Sequence, residues 1–434
     1  MDKNIIKAAN FISKYPLAAF LDERHVDFSA SLVKSETQIN VIFVGFGELG
    51  REIFLASVAN NQFLTMIEEK IEAKAVNCHI FDKNATEETL NDSFYRYKNG
   101  KFGERAEEYL PLPPTPSNDK FYNFEPCDGD FYAEIKKIIT RSEKDANFII
   151  IALENNTECE YLAKKLVEKR REWGANETVI FANSQISEEN CYYLGEELDP
   201  IFEKMAPLRN AVYDLEYAIS SDPALASDEA YIAEIEARAT ENWAKKSDFE
   251  RNSTLFACLS LRSKLNLMGL DICSSDNTDE RGMSEGEYLV YYAGDDMPTF
   301  DKNGLRASGK PIITYTLDFV PSRRKTMAVH EHLRWNSFMI TSGFVPSTRN
   351  QILCDAVTDK NGRARYTNGK SFAERRHGNL TTFEGLLEFR KLIAVRDGVS
   401  EAERDVIKYD YQLLDDAHWL LSRGGFKIIK KGRR

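Results

Sequence analysis

The sequence predicts an α/β protein in which a doubly wound parallel sheet is followed by a mainly α-helical part. Three observations predict this fold. Short apolar runs alternate with helical patterns between residues 39 and about 205, as in sheets built from βαβ units. A glycine-rich turn follows the first of these runs. Beyond about residue 206 long helical patterns take over. We therefore predict an N-terminal extension over 1–38, a sheet domain over 39–205 and a helical domain over 206–434.

The sheet domain is predicted to contain five strands, with a helix over Glu158–Arg171 between the last two. The apolar runs that predict the strands lie at 40–44, 78–81, 121–124, 148–153 and 178–182. Residues 84–119 contain four prolines within a few positions, which exclude a continuous helix or a central strand. We expect this stretch to be a surface insertion.

In the helical domain, apolar residues recur at helical spacing in two long segments. They predict one helix over Trp243–Leu270 and another over Thr326–Phe344, each ended by a glycine and a hydrophobic residue. The apolar run Tyr288–Tyr292 between them predicts a strand or a buried loop.

The glycine-rich turn is the segment whose chemistry can be named. Gly45, Gly47 and Gly50 have the spacing G-x-G-x-x-G after an apolar run that ends at Val44. Gly45 permits a tight reversal, Gly47 lacks a Cβ that would hold off a pyrophosphate, and Gly50 lets the next helix approach the sheet. The free N–H groups and the positive dipole end of that helix favour an anion.

This pattern predicts a Rossmann-like dinucleotide site that includes the intervening residues Phe46, Glu48 and Leu49. Glu48 must point to solvent, because its charge would otherwise oppose the phosphates. The alternative is a glycine turn in an α/β domain that binds no ligand.

An acidic residue ends the second apolar run, where a dinucleotide's ribose 2′-hydroxyl would be held. This residue, Asp82, lies about 30 residues after the last glycine instead of the usual ~20, so the first helix is expected to be long. Lys83 follows and leaves room for a 2′-phosphate. The arrangement favours NAD over NADP as the cofactor, with another adenine nucleotide as a further option.

Ionisable residues lie on the apolar face of the helix predicted after residue 326. Helical spacing places Glu331 and His332 beside Trp335 on this face. An unpaired buried carboxylate is unfavourable by several kcal/mol, so each group needs a partner or a ligand. Arg334 is the nearest partner for Glu331. The pattern fits either an internal polar network or a ligand pocket.

Other polar residues are candidates for the same pocket. They are Arg251 and Ser253 at the start of the earlier helix, His377 in a loop, and Tyr409 with Asp410 near the start of the last helix. Ser253 is as well suited to be the N-cap of its helix as to contact a ligand. Each of these residue types is more often structural than functional when it stands alone. Only their convergence in space would indicate a site.

Composition limits the class of partner. The net charge of −12 and the pI near 5.3 argue against nucleic acid or an anionic membrane, because such binding depends on basic residues. The N-terminus lacks the features of a signal peptide, and no apolar run reaches the ~18 residues of a membrane span. Seven cysteines without C-x-x-C spacing indicate reduced thiols and no zinc site. We expect a cytoplasmic protein without a metal.

The sheet domain resembles the NAD-binding domain of the RCK-type potassium-transport regulatory family. The residues that carry the resemblance are the glycine turn, Asp82, Cys127–Asp130 and Ala152–Asn156. The resemblance implies nucleotide binding in a homodimer, with Asp130 and Leu153 as further cofactor contacts. In that family the domain gates a membrane pore; this sequence contains no pore, so a separate membrane or effector partner is implied.

The last part resembles the ryanodine-receptor-type (RyR) repeat domain found in some bacterial proteins beside such an NAD-binding domain. The residues are Glu331–Asn336, Gly343-Phe344, His377 with Leu380, and Tyr409-Asp410, preceded by Arg251–Ser253. The resemblance implies recognition of a small-molecule ligand, or regulation, more than catalysis.

The leading hypothesis is a bacterial regulatory or sensor protein that couples dinucleotide binding to ligand recognition by the helical domain. No nucleophile has a matched base in the sequence, so an enzyme is not the first interpretation. The alternative is an NAD(P)-dependent oxidoreductase in which His332 or His377 supplies the proton. A third option is an assembly protein that uses an empty sheet domain as a dimerisation surface.

Overall fold

A computed structural model describes residues 3–86, 92–197, 200–222, 224–225, 228–297, 322–358, 362 and 364–432. The predicted fold class is confirmed: the chain contains a six-stranded, all-parallel sheet and a large, mainly helical part. None of the helices in these ranges is long and apolar enough to cross a bilayer.

The elements have the following bounds. The helices are α1 (Lys3–Lys14), α2 (Glu48–Asn60), α3 (Asp92–Lys98), α4 (Gly129–Ile139), α5 (Asn156–Glu172), α6 (Pro200–Ser221), α7 (Glu229–Ala237), α8 (Ala239–Lys245), α9 (Asp248–Leu259), α10 (Leu261–Leu267), α11 (Glu285–Ala293), α12 (Arg323–Thr341), α13 (Arg349–Cys354), α14 (Phe383–Asp397), α15 (Lys408–Asp415) and α16 (Ala417–Gly424). The strands are β1 (Val26–Asp27), β2 (Leu32–Val33), β3 (Ile39–Val44), β4 (Phe63–Ile67), β5 (Lys70–Lys74), β6 (Val76–Phe81), β7 (Asn118–Tyr122), β8 (Ala146–Ile151), β9 (Val179–Ala182), β10 (Cys191–Tyr193), β11 (Leu270–Ser274), β12 (Val345–Pro346), β13 (Ala356–Thr358), β14 (Ala364–Tyr366), β15 (Arg376–His377) and β16 (Phe426–Lys430).

The parallel sheet has the strand order β7-β6-β3-β8-β9-β10. In chain order these are the third, second, first, fourth, fifth and sixth strands, so the order reverses between β3 and β8. Val44 at the end of β3 lies between Phe81 and Ile151, which end the strands on either side. In open α/β sheets ligands bind outside the carboxyl ends of the strands at such a reversal. The fold therefore places the glycine turn at the expected binding edge.

Both faces of the sheet are covered, as its continuous apolar strands predict. Ile42 and Ile149 face the core formed with α4 and α5. Val41 and Phe148 face a second core, which includes α1 and α2 and continues into the helical domain as far as Met339. One hydrophobic core therefore joins all three predicted segments.

The prediction of a long first helix is wrong. α2 has only 13 residues, and the extra chain before β6 forms the antiparallel hairpin β4-β5. The hairpin joins β1 and β2 of the N-terminal extension in a second, four-stranded sheet. Its turn residues Glu68 and Glu69 both have positive φ. Such two-residue turns usually contain glycine, asparagine or aspartate, so the sequence carried no hairpin signal here.

Two helical predictions also need correction. Trp243–Leu270 contains the end of α8, then the two separate helices α9 and α10, and the first residue of β11. Ser247 begins α9 by forming a capping box with Glu250, which interrupts the long apolar pattern. Residues 288–292 lie inside the helix α11, not in a strand or a loop.

The proline-rich stretch 84–119 is not a plain surface insertion. Residues 87–91 lie outside the described ranges, but Tyr97 and Leu110 in the described part are buried. The Pro111 carbonyl accepts hydrogen bonds from the Thr381 hydroxyl (2.6 Å) and the Thr382 amide (3.0 Å). Through these two hydrogen bonds, the stretch contacts the predicted helical domain directly.

Helix α12 packs across α2, the helix that begins at the glycine turn. His330 of α12 is fully buried, and its Nε2 donates to the Gln62 carbonyl just after α2 (2.5 Å). Burial, and then the charge of Lys264, lower the pKa of His330 to about 3. The imidazole is therefore neutral at pH 7.

We expect this histidine to make the fold sensitive to acid. The unfolded chain takes up a proton near pH 6.5, whereas the folded chain resists protonation until about pH 3. The free energy of unfolding should fall with decreasing pH between these values, by up to about 1.4 kcal/mol per pH unit from this group. Urea unfolding at pH 7, 6, 5 and 4 should give a smaller fall for His330→Gln. Equal slopes would contradict the prediction.

Candidate functional sites

A cleft of about 560 Å³ lies at the carboxyl edge of the parallel sheet and is named here the edge cleft. Its wall includes Gly45 after β3, Asp82 and Lys83 after β6, Glu125 after β7 and Leu153 after β8. The volume is in the range of small-molecule and cofactor sites. Four of the ten predicted cofactor residues therefore line one cleft, whereas Gly47, Glu48 and Gly50 do not line it.

Two glycines of the turn are required by the fold itself. Gly45 has a φ of +87°, and a Cβ added there would lie 2.9 Å from Leu153 Cδ2. A Cβ added at Gly50 would lie 2.2 Å from the Gly45 carbonyl oxygen, because the start of α2 packs tightly on the turn. These contacts confirm the tight reversal and the close helix approach.

Gly47 differs from the other two glycines. The nearest atom to a Cβ added there is Glu154 Oε1 at 3.6 Å, and Gly47 itself is exposed. Its φ of −66° is open to any residue. The protein itself thus leaves room at Gly47, as a site for a close-lying pyrophosphate requires.

At the carboxyl edge of the sheet, α2 and α4 both begin without a side-chain cap from the described residues. No side chain in the described chain caps the first turn of α2, which begins at Glu48. By contrast, the Asn155 side chain caps α5 by accepting from the amides of Thr157 (2.9 Å) and Glu158 (3.3 Å). The first amides of α2 are therefore available to an anion.

The remaining residues of the turn have different surroundings. Glu48 is exposed, as a phosphate site needs. The side chains of Phe46 and Leu49 are buried in the core, so only their backbones could meet a ligand. The Phe46 amide already donates to Asp82 Oδ2 (2.8 Å).

Asp82 and Lys83 both already have protein partners. Asp82 Oδ1 accepts from the Asn84 amide (2.9 Å), and a carboxylate oxygen can accept a second bond. Lys83 Nζ forms an exposed ion pair with Glu125 Oε1 (3.0 Å). Asp130 lies outside the cleft wall, exposed in the first turn of α4. The structure therefore gives no support to Asp130 as a cofactor contact.

A second cavity of about 510 Å³ lies inside the helical domain and is named here the helical cavity. Six of the seven predicted ligand residues line it: Glu331, Arg334, Trp335, His377, Tyr409 and Asp410. The seventh, Arg251, does not; its guanidinium pairs with Asp248 on the surface of α9. Ser253 does not begin the helix, since Ser247 is the N-cap, and it lines the cavity. The convergence that the sequence could not show is present.

Glu331 is the centre of a buried ion cluster, not of a surface pair. It accepts from Arg334 Nε (2.9 Å) and Nη2 (2.7 Å), and Lys264 Nζ lies 2.8 Å away. Burial would raise the pKa of Glu331, but the charges of Arg334 and Lys264 outweigh it and hold the pKa at about 2. Burial lowers the pKa of Lys264 to about 8.

Two histidines shape the cavity wall beside Trp335. His332 Nε2 donates to the Thr381 carbonyl (2.9 Å), and its Nδ1 faces Asp410 Oδ2 (3.2 Å). Burial raises the pKa of Asp410. His377 Nδ1 accepts from a backbone amide, and its lowered pKa of about 3, caused by burial, keeps the ring neutral. The His377 ring meets Trp335 edge to face at 5.1 Å.

Several lining residues were not predicted from the sequence, among them Arg209, Tyr213, Lys370 and Phe372. Arg209 could have been found. It lies on the apolar face of α6 with Met205 and Val212, the same pattern that singled out Glu331. Lys370 and Phe372 lie between short strands and have no periodic signal.

The described residues contain no group of three or more His, Cys, Asp or Glu side chains placed to hold a metal ion. Comparisons with protein-family models, with curated proteins and with solved structures found no match.

Proposed function

We propose that this chain is a sensor in which NAD binds at the edge cleft and a small-molecule ligand binds in the helical cavity. One observation carries the proposal. Six residues chosen from separate parts of the sequence line a single cavity, and the helix that supplies three of them, α12, also packs on the helix that begins at the glycine turn.

The contact between α2 and α12 supports coupling of the two sites. α2 begins next to the edge cleft, and the carbonyl of Gln62, two residues after the end of α2, accepts a hydrogen bond from His330 of α12. The next residues of α12, Glu331 and His332, line the helical cavity. A shift of α2 on nucleotide binding would thus reach the cavity wall directly. Such coupling is reciprocal, so each ligand changes the affinity for the other by the same factor.

The cleft chemistry supports NAD over NADP. Asp82 stands where a ribose hydroxyl would be held, and its carboxylate repels a 2′-phosphate. Lys83, the single lysine or arginine of the described cleft wall, is paired with Glu125. We therefore expect weaker binding of NADP.

The two histidines of the oxidoreductase alternative lie away from the proposed cofactor. His332 and His377 line the helical cavity, and no histidine lines the described wall of the edge cleft. This placement supports a sensor over a hydride-transfer enzyme. The homodimer and the separate membrane or effector partner stay predictions of the family resemblance.

Calorimetric titration with NAD, NADH, NADP and ATP tests the first site. Tryptophan fluorescence tests the coupling, with Trp335→Phe used to isolate the signal of the cavity tryptophan. We expect NAD or NADH to bind and to change the Trp335 component. Absence of nucleotide binding, or binding without that change, would contradict the proposal. Steady NADH oxidation on addition of carbonyl compounds would favour the oxidoreductase.

A further inference from the structure

We infer that the helical cavity takes a ligand in which an anionic group, a phosphate or a carboxylate, is attached to a planar ring. This inference rests on the proposed function, since it names the class of ligand for that same cavity. Two arginines, the charge of the cavity wall and its aromatic rings support it.

Arg209 is a buried cation without a counter-ion in the described chain. Its exposed fraction is 7%, and its Nη1 has no hydrogen-bond partner among the described residues. A guanidinium stays charged in proteins, and a buried charge without a partner is unfavourable by several kcal/mol. Arg209 lines the helical cavity, so an anion there would satisfy it.

Arg334 offers a second unused donor. It is 1% exposed, and Glu331 takes its Nε and Nη2. Its Nη1 has no partner among the described residues. Arg209 and Arg334 both line the helical cavity. Guanidinium donors of this kind suit an oxyanion.

The charged residues of the wall leave a surplus of one positive charge, because the four cations Arg209, Lys246, Arg334 and Lys370 face the three carboxylates of Glu250, Glu331 and Asp410. Glu331 is shared between two cations, Arg334 and Lys264. Glu250 is held by its capping box with Ser247. Lys370 stands exposed at the rim, with its Nζ 4.6 Å from the centre of the Phe372 ring. This local surplus contrasts with the net charge of −12 of the whole chain, so an anion is favoured here in particular.

Aromatic rings in the cavity wall are suited to bind the planar ring of the ligand. Trp335 is half-buried, with the His332 ring nearly parallel to it at 5.8 Å. Tyr409 lines the same cavity, with the Tyr213 ring 5.4 Å away. Aromatic surfaces favour stacked or edge-to-face contact with a planar ring. A ring that carries an anion would use both features of the wall.

Four small probes test this inference by ligand-observed NMR saturation transfer and, for inorganic phosphate, by phosphorus line width. Phenyl phosphate and benzoate carry ring and anion; phenol carries only the ring, and inorganic phosphate only the anion. We expect phenyl phosphate or benzoate to bind at least tenfold more tightly than phenol and inorganic phosphate. The ratio of the affinities for phenyl phosphate and for benzoate distinguishes a phosphate ligand from a carboxylate ligand.

Variants locate the binding. Arg209→Gln is expected to lower the affinity of the better probe at least tenfold without lowering the melting temperature, because an unpaired buried charge is removed. Arg251→Gln, at a half-buried arginine of α9 that does not line the cavity, is the matched control and should leave the affinity of the probe unchanged. Trp335→Ala should weaken phenyl phosphate and benzoate but not inorganic phosphate. Failure of all four probes to bind at millimolar concentration, equal binding of phenol, or indifference to Arg209→Gln would overturn the inference.

The two proposals fail in different ways. If NAD binds and changes the Trp335 fluorescence but the probes show no preference for an anion, the ligand class is wrong and the sensor stands. If the probes bind through Arg209 but no nucleotide binds at the edge cleft, the two-site sensor is wrong and the anion site stands.

Discussion

Replacement of Glu331 by glutamine should lower the free energy of unfolding by about 3–5 kcal/mol, the usual result of removing one partner from a buried ion pair. Lys264 is 0% exposed and Arg334 1%, so the change leaves two buried cations without a counter-charge. Urea unfolding at pH 7 measures the effect. Glu388→Gln is the control, because its pair with Arg349 is half-exposed and such pairs contribute at most about 1 kcal/mol.

The size of this effect should depend on pH in a defined direction. The pKa of Glu331 is about 2 in the fold, below the value of about 4.3 in an unfolded chain. Its contribution to stability is therefore complete above about pH 5 and disappears as the pH falls towards 2. The difference between the wild type and Glu331→Gln should shrink over the same interval. A difference that stays constant with pH, or one no larger than that of Glu388→Gln, would contradict the proposed ion cluster.

Local patterns explain why the sheet could be predicted. The central strands β3, β8 and β9 form largely apolar, buried runs, and the glycine spacing marks the turn after β3, so the parallel sheet and the position of the cleft follow from general rules for α/β sheets. The short, half-buried strand β10 has no such run. The hairpin β4-β5 was not predicted because its turn contains two glutamates at positive φ. Glutamate is not a residue type that predicts this conformation.

The helical cavity was predictable only in part. Ionisable residues on an apolar helical face, such as Glu331 and Arg334, are visible from spacing alone. Whether they meet His377 and Asp410 depends on how separate helices pack, which no local pattern specifies. The partner of Arg334 was predicted correctly, but Lys264 as a third member was not, since α10 is a separate short helix inside a segment predicted as one long helix. The prediction for Arg251 was wrong because it lies on a different face of α9 from Ser253 and Ala257, which line the cavity.

Replacement of Gly47 by leucine should reduce NAD affinity at least a hundredfold, or about 2.7 kcal/mol, while the fold persists. The backbone of Gly47 has an ordinary φ of −66°, and an added Cβ meets no atom closer than 3.6 Å. The leucine side chain would instead occupy the space in front of the first amides of α2, where the pyrophosphate is expected. Since Gly47 is the N-cap of α2, we expect a stability loss of at most about 1 kcal/mol. Calorimetric titration and urea unfolding measure the two effects.

Two other glycine variants make the result specific. Gly50→Ala should reverse the pattern, because its Cβ would lie 2.2 Å from the Gly45 carbonyl oxygen and such overpacking is unfavourable by about 1–3 kcal/mol. Gly286 lies in the exposed first turn of α11 with open space around it. Gly286→Leu should therefore leave the NAD affinity unchanged, and should change the free energy of unfolding only by the small effect of a substitution at a helix start. If Gly47→Leu binds NAD as the wild type does, the nucleotide does not lie against this turn. If Gly47→Leu binds NAD normally and Gly50→Ala is unfolded, the turn is needed for the fold and not for a ligand.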